Sequence, residues 1–107
     1  MRTMGATVLD VAAAYRDRIT GLPLTGAFML YDRPRNTIVF ITFFESVDEK
    51  AESELASVEA SMVDAFGEFF LDFRTIHLMG RDLAKFIPAG AIPLLPAPGP
   101  AFHRASR

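Results

Sequence analysis

Hydrophobic residues recur along this chain with two different periods. In residues 8 to 20, Val8, Val11, Ala12, Tyr15 and Ile19 fall at helical spacing on one side, which predicts a short amphipathic helix. Thr7 ahead of them, with Asp10 three positions on, forms a weak capping box. Gly21 followed by Pro23 stops the run. The next segment, LTGAFMLY (24–31), is a strand candidate with apolar side chains on both faces. DRPRN (32–36) then carries Pro, Asn and Asp where a tight turn wants them. The strand after it, NTIVFITFF, packs Ile38, Val39, Phe40, Ile41, Phe43 and Phe44 around a single Thr42. These two strands are expected to form an antiparallel hairpin.

The chain then turns acidic. Ser46 and Glu49 fit an S-x-x-E capping box, and Ala51, Leu55, Val58, Met62 and Ala65 or Phe66 follow as a helical stripe ending near Gly67. Asp48, Glu49, Glu52 and Glu54 favour the positive end of that helix's dipole. EFFLDFRTIHLM (68–79) reads as a further strand. Phe69, Leu71, Phe73, Thr75, His77 and Met79 share one face of it, and Phe70, Asp72, Arg74, Ile76 and Leu78 the other. RDLAKFI adds at most one helical turn. From Pro88 onward, five of the seven prolines fall within thirteen residues. Residues 88–107 are therefore expected to be a Pro/Ala-rich tail after a domain at 1–87, either without regular structure or docked in extended form through Ile92, Leu94 and Leu95.

Helix, strand, strand, helix, strand lacks one leading strand to complete β-α-β-β-α-β, the split βαβ of ferredoxin-like α+β folds. The chain offers only seven residues before the first helix, so that strand is expected to be short or missing. Such a fold lays both helices on one face of an antiparallel sheet. The other face would then present Ile, Phe and Val to water. Each such side chain is worth roughly 1.5–3 kcal/mol when buried. An identical sheet from a second copy is the cheapest cover, which predicts a sheet-to-sheet homodimer.

The segment YRDRITGLPLTGAFMLYDRPRNTIVFITFFESVDEKAESE resembles the middle of antibiotic biosynthesis monooxygenase-like proteins. The matching pieces are a helix ending in GLP, the strand GAFMLYDR, a strand closing in ITFFES, and an acidic helix start with KAESE. They span about residues 10 to 60 and mostly encode a fold. The resemblance implies a dimeric α+β barrel with a small hydrophobic pocket between helices and sheet, in members that oxidise polycyclic aromatic compounds without metal or flavin. Other members degrade haem, and many have no known activity. The short or missing first strand, FF where such strands often carry Trp, the long last strand and the proline tail depart from the pattern. NTIVFITFFESVDEKAE also looks like the third strand of an RNA-recognition motif. Asn36 and Thr37 replace that motif's basic residue and Gly, however, and the strand carrying its second aromatic motif has no counterpart.

Composition narrows the function classes. In 107 residues, half hydrophobic, the size fits one domain with one core. A net charge of −2 gives no basic face for nucleic acid. Without Cys there is no disulfide, thiolate metal site or thiol nucleophile. No apolar run reaches the roughly 18 residues of a membrane span, and Asp10 interrupts any signal-peptide centre. The expectation is a soluble cytoplasmic protein.

Candidate chemistry is sparse. His77 is the one proton-transfer group inside the expected fold, and histidine is the side chain that titrates nearest neutrality. It is the candidate base; a packed strand histidine is the bland alternative. Tyr15, Phe28, Phe40 and Phe73 are the candidate lining of a pocket for a small apolar or aromatic ligand, against the simpler reading of core residues. Asp72 and Arg74 read as an ion pair, and Asn36 as a turn residue. With His103 in the tail and His77 alone in the fold, no metal-ligand spacing exists, and no cofactor is expected. Phosphate loops, nucleophile elbows and paired carboxylates are absent from the sequence.

Overall fold

The computed structural model describes residues 5–95. The chain runs α1 (Val8–Ile19), β1 (Gly26–Asp32), a 3-10 turn (Arg33–Arg35), β2 (Thr37–Phe44), α2 (Glu49–Ala65), β3 (Phe70–His77), a second 3-10 turn (Leu83–Phe86) and β4 (Ile92–Pro93). The expected short or missing first strand falls before α1. Residues 5–7 form no strand, and residues 1–4 lie outside the described ones.

α1 starts as its sequence demands. The Thr7 hydroxyl accepts from the Asp10 N–H at 3.1 Å while the Asp10 carboxylate accepts from the Thr7 N–H at 2.8 Å. α2 starts two residues later than the Ser46 box would place it. Its cap is Asp48, whose carboxylate accepts from the Ala51 N–H at 3.0 Å, and the Glu52 carboxylate accepts in return from the Asp48 N–H at 2.9 Å. An ionised acceptor at the positive end of a helix dipole outcompetes a nearby hydroxyl.

The four strands form one mixed sheet in the order β3-β2-β1-β4, so the chain is α+β with two helices, compatible with a ferredoxin-like fold. β1 and β2 make the expected antiparallel hairpin, with Gly26 opposite Phe43 and Asp32 opposite Thr37. The expectation of an antiparallel sheet fails at the next pair. β2 and β3 run parallel over their full length, from Thr37 opposite Phe70 to Phe44 opposite His77. A split βαβ would leave a strand's width between them. α2 has 17 residues and β2 has 8. Both therefore span about 25 Å, and the helix returns the chain to the end where β2 began.

Both helices cover the same face, as expected. Val11, Ala12, Tyr15 and Ile19 of α1 and Ala51, Leu55 and Met62 of α2 close over Ala27, Met29, Ile38, Phe40 and Phe44. The far face carries Val39, Ile41 and Phe43, and these three are not open to water. After β3 the chain reverses at Met79 and Gly80, both at positive φ (50° and 86°), and lays Leu83, Phe86 and Ile87 across that face. Phe43 is fully buried and Ile41 is 3% exposed. Gly26 permits the approach, because a Cβ there would lie 3.0 Å from the Leu83 side chain. Arg81 holds the reversal: its guanidinium donates to the carbonyls of Leu78 (2.8 Å) and His77, and it lies 5.0 Å from the Phe86 ring centroid. The Val39, Ile41 and Phe43 row, expected to be covered by a second sheet, is thus covered by the chain itself.

Of the segment from residue 88 onward, Ile92–Pro93 pairs antiparallel with Phe28 and Met29. Leu94 is buried and donates its N–H to the Ala27 carbonyl at 2.8 Å. Residues 96–107, including His103, lie outside the described residues. Truncating Phe86 should uncover Val39, Ile41 and Phe43. Because Phe86 is only partly buried, we expect Phe86→Ala to lower unfolding stability by about 2 kcal/mol, below the 3–5 kcal/mol of a fully buried Phe. Urea denaturation measures this, and an unchanged midpoint would show that the 3-10 turn does not cover the sheet.

Candidate functional site

The residues singled out as pocket lining do not share one place. Tyr15 comes from the buried side of α1, Phe40 from the inward side of β2, and Phe73 from the same side of β3. Their ring centroids lie 4.2 Å (Tyr15–Phe40), 5.5 Å (Phe40–Phe73) and 5.7 Å (Tyr15–Phe73) apart. These are the spacings of rings in direct contact. Phe28 lies on the opposite face of the sheet, edge-on to Phe43 at 5.8 Å. Strand alternation dictates this, because Phe28 is one residue out of phase with inward-facing Ala27 and Met29.

Tyr15 is fully buried, and its hydroxyl has no hydrogen-bond partner among the described residues. Burial raises its pKa above the ordinary 10, and the neighbouring Glu59 carboxylate on α2 adds to the rise. Burial also raises the Glu59 carboxyl above its ordinary value. The phenol therefore stays protonated, as a donor with nothing to donate to. A buried hydroxyl in that state costs about 1–3 kcal/mol.

His77 sits near the C-terminal end of β3, an edge strand. Its ring stacks near Phe44, with centroids 6.0 Å apart, and its Nε2 lies 2.9 Å from the Glu52 carboxylate of α2. Both side chains are about one-third exposed (31% and 29%). Glu52 thus has two tasks, capping α2 and meeting His77. The Asp48 N–H, and secondarily His77, hold its carboxyl below the ordinary carboxylate value, with a small opposing effect of burial. A carboxylate that orients an imidazole is half of a general-base arrangement. It is equally a tie between helix and edge strand. A surface depression of about 220 Å³ lies beside the start of α2, lined by Pro23, Asp48, Lys50, Ala51 and Glu54. None of His77, Tyr15, Phe28, Phe40 or Phe73 lines it.

Three residues matter more than their sequence context indicates. Glu52 is read as dipole-favouring charge, yet it anchors His77 from 25 positions away. Asn36 is read as a turn residue and does adopt φ 50°. It also accepts from the Tyr31 hydroxyl at 2.9 Å, donates to the Glu68 carbonyl at 2.8 Å, and through its own carbonyl accepts the first bond of β3 from the Phe70 N–H at 3.0 Å. Arg81 is the third, clamping the end of β3 to the far-face cover. Among the described residues no group of three or more His, Cys, Asp or Glu could hold a metal ion. No described helix is long and apolar enough to cross a membrane. In comparisons with known proteins, no family model matches the chain and no curated protein matches it.

Two outcomes follow from these environments. Tyr15→Phe removes the orphaned hydroxyl and leaves the ring, so it should raise unfolding stability by about 1 kcal/mol, read from denaturant midpoints. A loss instead would mean the hydroxyl has a partner. For Glu52 the folded carboxyl titrates below its unfolded value of 4.5. Its contribution is therefore complete above pH 4.5 and disappears as pH falls through the lower folded value. Melting temperatures measured from neutral pH down to about pH 3 should fall less steeply in Glu52→Gln than in the parent. Parallel curves would count against the cap and the His77 contact.

Proposed function

We propose that this chain is a non-catalytic α+β module that works by self-association, rather than an enzyme acting on an aromatic compound. The observation carrying this reading is the packing of Tyr15, Phe40 and Phe73. The rings that would line a substrate pocket between helices and sheet occupy that space themselves, within 4.2–5.7 Å of one another. A site for an apolar ligand needs a concave space with a few polar groups converging on it. Here the buried Tyr15 hydroxyl beside the cluster has no hydrogen-bond partner among the described residues. Support for association comes from the surface. Phe70 at the start of β3 is 70% exposed and Met79 just past its end is 63% exposed, so large apolar groups bracket an edge strand.

The monooxygenase-like reading keeps one observation in its favour, the carboxylate-paired imidazole of His77. In that reading His77 acts as base, without metal or flavin, on a small aromatic substrate.

A thermal-shift series with polycyclic aromatic compounds separates the two. The expected result is no saturable rise in melting temperature for the full chain, with sedimentation velocity giving a dimer at micromolar concentration. A saturable rise that disappears in His77→Ala would return the enzyme reading to first place.

A further inference from the structure

β3 is the long open edge of the sheet, and its hydrogen-bonding groups divide by parity. The Phe70 N–H bonds the Asn36 carbonyl and the Leu78 N–H bonds the Phe44 carbonyl, so the even-numbered residues of β3 face β2. In a regular ladder the N–H and C=O groups of Leu71, Phe73 and Thr75 then point away from the sheet, on the edge where no described strand lies. The His77 carbonyl is already taken by Arg81, which bounds this free run at its C-terminal end. β3 contains no Pro, Gly or Lys, and its sequence, FLDFRTIH, carries none of the usual edge protections except two charges of opposite sign.

Those charges are self-complementary about one point. Asp72 and Arg74 flank Phe73 and form an ion pair within the chain at 2.9 Å, with side chains 40% and 61% exposed. We propose that a second copy of this chain adds antiparallel to β3 about a two-fold axis at Phe73, joining the two sheets edge to edge. This rests on the self-association reading above and names its surface. In this register Phe73 faces its own counterpart as a hydrogen-bonded pair, and Leu71 faces Thr75 of the second copy. Roughly six interstrand hydrogen bonds result. Asp72 then falls opposite Arg74 of the second copy in a non-hydrogen-bonded pair, where side chains approach most closely, with Cα atoms about 4.5 Å apart. The four charges alternate in sign around the axis. Exposed Phe70 falls opposite Ile76 of the second copy, on the same face. Moving the axis to Leu71 or to Thr75 sets Asp72 against Phe70 or Leu78, which leaves Asp72 without a charge partner across the axis. Only the Phe73 axis satisfies the open backbone groups, both charges and Phe70 together.

The register makes a charge-reversal test specific. In Asp72→Arg two arginines face two arginines across the axis, and in Arg74→Asp two aspartates face two aspartates. Each single variant should weaken dimerisation by about tenfold or more. The double variant Asp72→Arg/Arg74→Asp should recover it. An equimolar mixture of the two single variants should form the heterodimer in preference to either homodimer. Sedimentation of the full-length chains reads all four, with circular dichroism checking that each is folded. On the parent protein, amide exchange at Leu71, Phe73 and Thr75 should slow as concentration rises through the dimerisation range, a readout that needs no variant. A dimer indifferent to both reversals, with those amides unprotected, would overturn the β3 register while leaving self-association standing. A protein monomeric at all concentrations would overturn both.

Discussion

The constraint on which this structure depends is that β2 has no face and no edge that tolerates water. Every residue from Ile38 to Phe44 is buried, and the strand alternates large apolar side chains to both sides. Such a strand must be central, which requires a neighbour along each edge and a layer over each face. β1 meets the first edge at the price of a three-residue turn, and β3 meets the second through the α2 crossover. The two helices cover one face and the Leu78–Ile87 segment covers the other. Thr42 is the one polar residue in the run. Its hydroxyl is accommodated by the Arg74 carbonyl and the Thr75 hydroxyl, each at 3.4 Å.

The polar groups are placed where these layers must be pinned. Asn36 stands at the junction of the β1–β2 turn with the start of β3, and uses side chain and backbone to hold both. Glu52 ties the first turn of α2 to the far end of β3 through His77. Arg81 fixes the point where the chain leaves β3 for the far face. β3 is therefore held at its beginning by Asn36 and at its end by Glu52 and Arg81. Its middle, Leu71 to Thr75, is held by the β2 ladder, by the Thr42 hydroxyl, and by the packing of Leu71 and Phe73 beneath the helices.

What the sequence made legible follows from which forces are local. Thr7 and Asp10 specify the start of α1 because both partners lie within one turn. The parity expected for β3 holds within the strand and fails only past its end, at Met79. Phe69, Leu71 and Phe73 pack toward the helices while Ile76 and Leu78 pack away, and Met79 is exposed at the reversal. The Ser46 cap was misplaced because Ser46 and Asp48 both satisfy capping chemistry, and the choice turns on how Glu52 folds back. Strand order was beyond local reading, because the length match between α2 and β2 is compatible with a neighbouring or a skipped strand. The covered far face was missed for a related reason. RDLAKFI has too little periodicity to reveal which side Leu83, Phe86 and Ile87 present. The candidate site suffered most. Phe28 differs from Phe40 and Phe73 only in phase, and the contact between Glu52 and His77 spans 25 residues with no motif to mark it.

The covered far face also changes what an excess of apolar residues means in this chain. An apolar sheet face and an open sheet edge attract partners through different physics. The face offers area without direction, whereas the edge offers hydrogen bonds whose register is fixed by parity and by the side chains beside them. Once Leu83, Phe86 and Ile87 have taken Val39, Ile41 and Phe43 out of water, little non-directional attraction remains on that side. The unmet demand moves to the edge of β3, where three residues present backbone groups outward between two opposite charges and an exposed Phe70. β4 does not compete, because its paired run is two residues long and contains Pro93, which has no N–H to offer. A chain that covers its own sheet face in this way can still associate, but in a manner governed by alignment rather than by area.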